Sequence, residues 1–238
     1  MAKIKKRAPK VDVNPEVEIK SIAHNVSDFY MQYQKQLNLA LTIAAVVLIG
    51  WGLFALVKGN NEKKAGLILE SAYAYYKPVN GTPDLGKALA GFQEVVKQYG
   101  STMNGAIAQY YTGITLSDLG RSDDALKAFD EFTKRYSGEK FLLGRVYQRM
   151  GYVYINMDKR DEAIKAFTKA DEIMGAGPAT LELAKIYDRM GKTEDAQKRY
   201  KELAEDLPAT TYALEARTKL NPPDIKAPVS KPAGTAGK

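Results

Sequence analysis

The sequence predicts an all-α protein in which a single transmembrane helix precedes a helical-repeat solenoid of about four helix pairs with a terminal capping helix. Three observations carry this. Residues 37–57 form an uncharged, apolar run. After it, the string A-x-x-x-aromatic recurs four times at near-constant spacing. The 238 residues include one His and no Cys, so neither disulfides nor thiolate metal sites are available to hold a different kind of fold together.

Residues 1–36 carry a net charge of +3, with Lys3, Lys5, Lys6, Arg7 and Lys10 clustered near the start. Val17, Ile22, Val26, Phe29, Tyr33 and Leu37 then recur at helical spacing. This predicts a juxtamembrane amphipathic helix along the inner membrane surface, with Phe29, Tyr30 and Tyr33 as interfacial aromatics. The lone His24 has no thiol partner and no cluster of acids around it, and is expected at the surface.

The run 37–57 holds only Asn38 and Thr42 as polar residues. Twenty-one residues at 1.5 Å rise make about 31 Å of helix, which matches a hydrocarbon core of about 30 Å. A buried helix of a soluble domain is usually shorter and keeps a polar stripe. A cleaved signal peptide would follow a short basic leader and end in a small-x-small site, and neither feature is present. The run is therefore expected to remain as a single-pass anchor. The charges nearest the span do not set its orientation. The basic tail as a whole favours a cytoplasmic N-terminus, with the large domain on the other side, in the periplasm of a bacterial inner membrane.

In residues 58–220, Ala88/Phe92, Ala125/Phe129, Ala163/Phe167 and Ala196/Tyr200 give Ala-to-Ala spacings of 37, 38 and 33. A small residue and a ring four apart share one helix face, so the small residue admits a neighbouring helix and the ring fills the gap. Each pair follows a turn-forming stretch rich in Gly, Asp, Lys and Thr, and in three of the four an acidic or hydroxyl residue is expected to cap the next helix. Gly113, Gly151 and Ala184 precede their Ala partners by twelve residues, and Tyr154 and Tyr187 precede theirs by nine. In these positions the chain resembles the tetratricopeptide repeat, a helix-turn-helix unit of 34 residues. The last unit matches best, through Ala184, Tyr187, Gly191, Ala196, Tyr200, Leu203 and Pro208. The first, from about Leu69 to Gly100, departs by placing Tyr76 where a small residue belongs. Residues 210–220 are expected to cap the stack. Residues 221–238, rich in Pro, Gly and Lys, lack the apolar content to fold and are expected to form a flexible tail.

Several chemistries are excluded by the residues. Gly81, Gly86 and Lys87 fit G-x-x-x-x-G-K, but Ala88 stands where magnesium needs a hydroxyl and no apolar strand precedes Gly81. Asp123-Asp124, Asp161-Glu162 and Glu194-Asp195 recur in step with the repeat, where acids complement helix N-termini. The repeat region contains no His, so a Ser-His-Asp arrangement cannot form there. No catalytic, metal-binding or cofactor-binding residues are assigned, and no cofactor or small-molecule substrate is expected. More than half of the net charge of +7 sits in the two tails, whereas a nucleic-acid binder concentrates it on one face.

What remains is protein binding. The resemblance implies a concave groove lined by the first helix of each pair, at Tyr73, Lys77, Tyr110, Ile114, Ser117, Arg145, Gln148, Tyr152, Asn156, Leu181, Lys185, Asp188 and Arg189. It lacks the Lys/Asn pairs with which some members of the family grip a C-terminal carboxylate. The layout of basic tail, anchor and repeats is similar to that of the bacterial ancillary Sec-translocon subunits, membrane-anchored periplasmic proteins of chaperone-like character. That likeness implies peptide segments or envelope-complex subunits as partners, the Sec translocon among them, with the bilayer engaged through residues 37–57. The other reading is a structural scaffold with fixed partners in an envelope complex.

Overall fold

The computed structural model describes residues 15–221, with side chains for His24 and for residues 26–221. The basic cluster Lys3–Lys10, the Pro/Gly/Lys tail after Asn221 and the side chains of Val17 and Ile22 lie outside what is described. Among the described residues there are nine helices and no strand: α1 (Pro15–Tyr76), α2 (Leu85–Tyr99), α3 (Met103–Asp118), α4 (Ser122–Arg135), α5 (Lys140–Asn156), α6 (Arg160–Met174), α7 (Pro178–Arg189), α8 (Thr193–Asp206) and α9 (Thr211–Leu220). The chain divides into two compact units, residues 1–59 and 60–238.

In the first unit, the stretch expected along the membrane surface and the apolar run both belong to α1. Leu39, Val47, Leu48, Trp51, Phe54 and Leu56 are all exposed on it. This helix is long and apolar enough to cross a membrane.

In the second unit, the end of α1 packs with α2, α3 with α4, α5 with α6 and α7 with α8, and α9 closes the series against α8. The small-residue and ring positions explain the pairing. Phe129 and Phe167 are fully buried, and their rings lie against Gly113 and Gly151, where a Cβ on Gly151 would come within 2.6 Å of the ring. The fourth unit uses Ala184, fully buried, with Tyr200. The first unit keeps the second-helix ring, the fully buried Phe92, and adds one on the first helix, where Tyr76 meets Phe92 with centroids 6.3 Å apart. The close approach moves to Gly91, whose Cβ would fall 2.7 Å from that of Ala72.

The turns within the last three pairs share one geometry. Gly120 (φ 74), Asp158 (φ 55) and Gly191 (φ 71) hold the left-handed conformation at equivalent places, Asp158 being the non-glycine type that tolerates it best. The capping expectation holds at Asp84, which accepts from the Lys87 N–H at 3.0 Å. In the other pairs the residues before the helix are Arg121, Lys159 and Lys192, without side-chain caps. The acids Asp123-Asp124, Asp161-Glu162 and Glu194-Asp195 sit instead inside the first turn, where they meet the positive end of the helix dipole.

Between pairs, specific polar contacts set the joints. The Glu62 carboxylate accepts from the N–H groups of Met103 (3.0 Å) and Asn104 (2.8 Å), and Asn104 Nδ2 donates back to the Glu62 carbonyl at 3.0 Å. An α1 side chain thus satisfies two of the orphan donors at the start of α3. The Tyr136 hydroxyl donates to the Gly100 carbonyl at 2.6 Å. The buried Asp171 carboxylate accepts from the Thr180 hydroxyl and, at 3.0 Å, from Arg199, joining α6, α7 and α8.

Two stability predictions follow from this packing. Gly113→Ala should lower stability by about 1–3 kcal/mol in thermal or urea unfolding, because overpacking against an immobile ring outweighs the helix propensity that Ala gains. Asp171→Ala should cost about 1–3 kcal/mol, because it removes the acceptor of the buried Thr180 O–H and leaves Arg199 with Glu202 alone.

Candidate partner-binding groove

The first helices of successive pairs lie side by side, α3 against α5 and α7 against α9. Their shared face is where a groove would form. It falls into an aromatic half and a charged half.

The aromatic half begins where α1 meets α3. Tyr73 packs edge-on against Tyr111 with centroids 5.4 Å apart, Tyr76 against Tyr111 at 5.8 Å, and Tyr110 against Tyr111 at 5.4 Å. Tyr111 also stacks on Phe92 at 5.3 Å. The Tyr76 hydroxyl donates to Asp118 Oδ2 at 2.8 Å. Burial is the largest cause pushing the Tyr76 phenol well above its usual range, and the Asp118 carboxylate adds to it. Arg149 of α5 lies beside this group. Desolvation disfavours its charged form, but Tyr110, Tyr76 and Asp118 outweigh that and hold the guanidinium more firmly protonated. The cluster is a preformed patch of rings edged by a cation and an anion.

The charged half is built on α7 and α9. Lys185 stands 3.0 Å from Glu215 and 3.6 Å from Glu182, and Asp188 stands 3.6 Å from Lys219. The two carboxylates more than offset the partial burial of Lys185 and raise its pKa. Tyr152 sits between the halves, edge-on to Phe167 at 5.2 Å. Its phenol is pushed up first by burial and then by Glu182.

The predicted residues separate by exposure. Tyr73, Lys77, Arg145, Asn156, Asp188 and Arg189 are open to solvent, and Ser117, Gln148, Tyr152 and Lys185 are half-buried. Tyr110, Ile114 and Leu181 are 8%, 5% and 5% exposed and belong to the core clusters, so they brace the face more than they present it. Arg145 additionally lies over the exposed Phe141 ring at 5.2 Å.

Sequence reasoning passed over Tyr111, Arg149 and Glu182, which occupy one equivalent position, fourteen residues before Ala125, Ala163 and Ala196 respectively. Each directly follows a predicted residue, Tyr110, Gln148 or Leu181. The signal was therefore in the repeat register, one residue and about 100° of helix away from the positions chosen. Asp118, equivalent to Asn156 and Arg189, was missed in the same way.

The phosphate-loop lookalike is closed by its own residues. The Lys87 N–H that a phosphate would use is taken by Asp84, and Lys87 Nζ lies 3.2 Å from the same carboxylate. Among the described residues no group of three or more His, Asp or Glu could hold a metal ion.

Comparison with known proteins agrees with this architecture. Residues 107–138 and 179–210 match one model of the tetratricopeptide repeat and residues 144–173 another. No curated protein matches the sequence. Among solved structures, a tetratricopeptide repeat protein from Parabacteroides merdae is similar over 66% of this chain, with 11% identity and a TM-score of 0.55. This chain spans 59% of that protein's length. MamA is similar over 70% of this chain and 85% of its own, with 19% identity and a TM-score of 0.50. A Podosopora anserina protein described as a kinesin light chain, with nearly identical TPR-like repeats, is similar over 66% of this chain and 83% of its own, with 14% identity and a TM-score of 0.52. At these identities the likeness is one of fold. The fold, the spacing and the matches agree on one statement: this chain carries tetratricopeptide repeats, the architecture of a protein-protein interaction module.

Proposed function

We propose that the protein is a membrane-anchored interaction module that holds extended segments of envelope proteins in its repeat groove, in a chaperone-like manner. Residues 37–57 cross the bacterial inner membrane once, residues 1–36 remain on the cytoplasmic side, and residues 58–220 work in the periplasm. The clients are envelope proteins in assembly or chains leaving a Sec translocon. One observation carries this reading: a single chain combines an apolar helix whose side chains are exposed along its length with a repeat face presenting Tyr73, Lys77, Arg145 and Asn156 to solvent.

Rings and guanidinium groups suit such a role. They give large contact area and hydrogen bonding at little entropic cost, and they accept varied sequences. Anchoring adds to affinity by keeping the groove at high effective concentration near its clients.

The natural chain has no Cys, so topology can be tested with one introduced thiol. Gly234→Cys should react with a membrane-impermeant maleimide in intact spheroplasts. Labelling only after lysis would place the repeats in the cytoplasm and overturn the periplasmic reading. For the groove, Tyr73→Ala combined with Arg145→Ala should weaken binding of unfolded envelope-protein peptides about tenfold or more, with little change in Tm. A photo-reactive residue at Tyr73 should capture many products. Capture of one or two proteins in fixed ratio would favour the scaffold.

A further inference from the structure

Four rings wedge the helix pairs together, each four residues after its Ala: Phe92, Phe129, Phe167 and Tyr200. All four are buried, the three Phe rings completely and Tyr200 to 3% exposure. Only the last carries a polar atom, and the Tyr200 hydroxyl is buried with no hydrogen-bond partner among the described residues. A hydroxyl withdrawn from water and left unpaired costs stability that Phe at the same position would not. Wedging alone therefore does not account for the oxygen.

Tyr200 packs in one cluster with Leu181 and Ala184 of α7 and Ala216 of α9, so its ring lies where these two helices meet. Two ion pairs cross the same seam, Lys185 with Glu215 at 3.0 Å and Asp188 with Lys219 at 3.6 Å. Burial pushes the Tyr200 phenol above its usual range, and Asp188, Glu215 and Glu182 add to this while Arg189 opposes it. These charges therefore lie around the hydroxyl, which ends in the charged half of the groove. The same surroundings select the chemistry that fits. The Glu215 and Glu182 carboxylates are turned to Lys185, and that of Asp188 to Lys219, so none of the three accepts the Tyr200 O–H. A partner must bring an acceptor. A carboxylate would be repelled by the three acids, and a cation would leave the O–H unpaired and meet Lys185, Arg189 and Lys219. A neutral amide meets both demands, because its carbonyl accepts from Tyr200 and its N–H donates to a neighbouring carboxylate. The ion pairs above the seam are partly exposed, and pairs of this kind exchange at little cost, so an incoming amide can displace them.

We infer that Tyr200 is a partner-binding residue, its hydroxyl donating a hydrogen bond to an amide carbonyl of the bound segment where α7 meets α9. The inference rests on the peptide-groove reading above and adds to it the chemical group that is recognised. That group comes from the backbone of the segment or from an Asn or Gln side chain.

The test compares the purified full chain with its Tyr200→Phe variant. The probes are fluorescently labelled, unfolded envelope-protein peptides in four versions, with Ala, Gln, Asp or Lys at one central position. Tyr200→Phe should weaken binding about five- to tenfold, as expected for one hydrogen bond. The Tm should stay the same or rise by about 2–4 °C, because the free protein no longer buries an unpaired hydroxyl. An equal loss across the four versions assigns the carbonyl to the peptide backbone, and a loss confined to the Gln version assigns it to a side chain; both support the inference. A loss confined to the Asp or Lys version would mean that charge is recognised instead. Unchanged affinity for all four would mean that the hydroxyl serves only an ordered water, and a fall in Tm would mean a structural role. Each of these three results overturns the inference. If the unsubstituted protein binds none of the peptides, the groove reading fails and the inference with it, a result distinct from binding that Tyr200→Phe leaves intact.

Discussion

The repeat region depends on the contact between a ring and a position with little or no side chain. Phe129 against Gly113 and Phe167 against Gly151 leave no room for a Cβ, which draws the helices of each pair together and turns each ring into a wedge. The buried surfaces on either side then form continuous clusters, in which Val146 packs with Phe132 and Leu183 with Phe167. A single pair could not bury that surface, so the units stabilise one another and the array ends only where α9 covers Leu203 and Ala184.

This constraint explains what the sequence made legible. Helix pairs are read from spacing because the ring and its small partner must keep a fixed offset, and the offset survives even though the surrounding surface residues differ from unit to unit. The first unit was the least legible for the same reason. Tyr76 at the small position looks like a broken motif until Gly91 and Ala72 are seen to provide the close approach from the other side. A second ring at the small position, with the close approach moved to Gly91 and Ala72, keeps the two helices in contact but not the pattern. The caps follow a similar logic. Acids near a helix start were legible as a class, but whether an acid accepts a backbone N–H, as Asp84 does, or only faces the dipole depends on a shift of one or two residues.

For the proposed groove, the sequence pattern speaks to which helices share a face more than to which side chains are exposed on it. Adjacent residues on a helix point about 100° apart, so Tyr110 is buried while Tyr111 beside it is half-buried, and Gln148 is half-buried while Arg149 beside it is exposed. Exposure also depends on the neighbouring helix, which no local pattern encodes. Ile114 is buried and Tyr152 half-buried although they occupy equivalent positions.

The two halves of the proposed groove differ in what a partner would have to displace. On α7 and α9, Lys185 and Asp188 already face Glu215 and Lys219, and a partner's charge gains there only by exchanging one ion pair for another. Partly exposed pairs of this kind are worth about 0–1 kcal/mol, so the exchange costs little and also gains little. Around Tyr73 and Tyr111 the rings are fixed by their mutual contacts and by the bond from Tyr76 to Asp118. A partner that lays apolar or amide groups over them orders few additional side chains, and a surface already held in place loses less entropy on binding. The binding energy should therefore concentrate on the aromatic half, with the charged half setting the register and orientation of the bound segment.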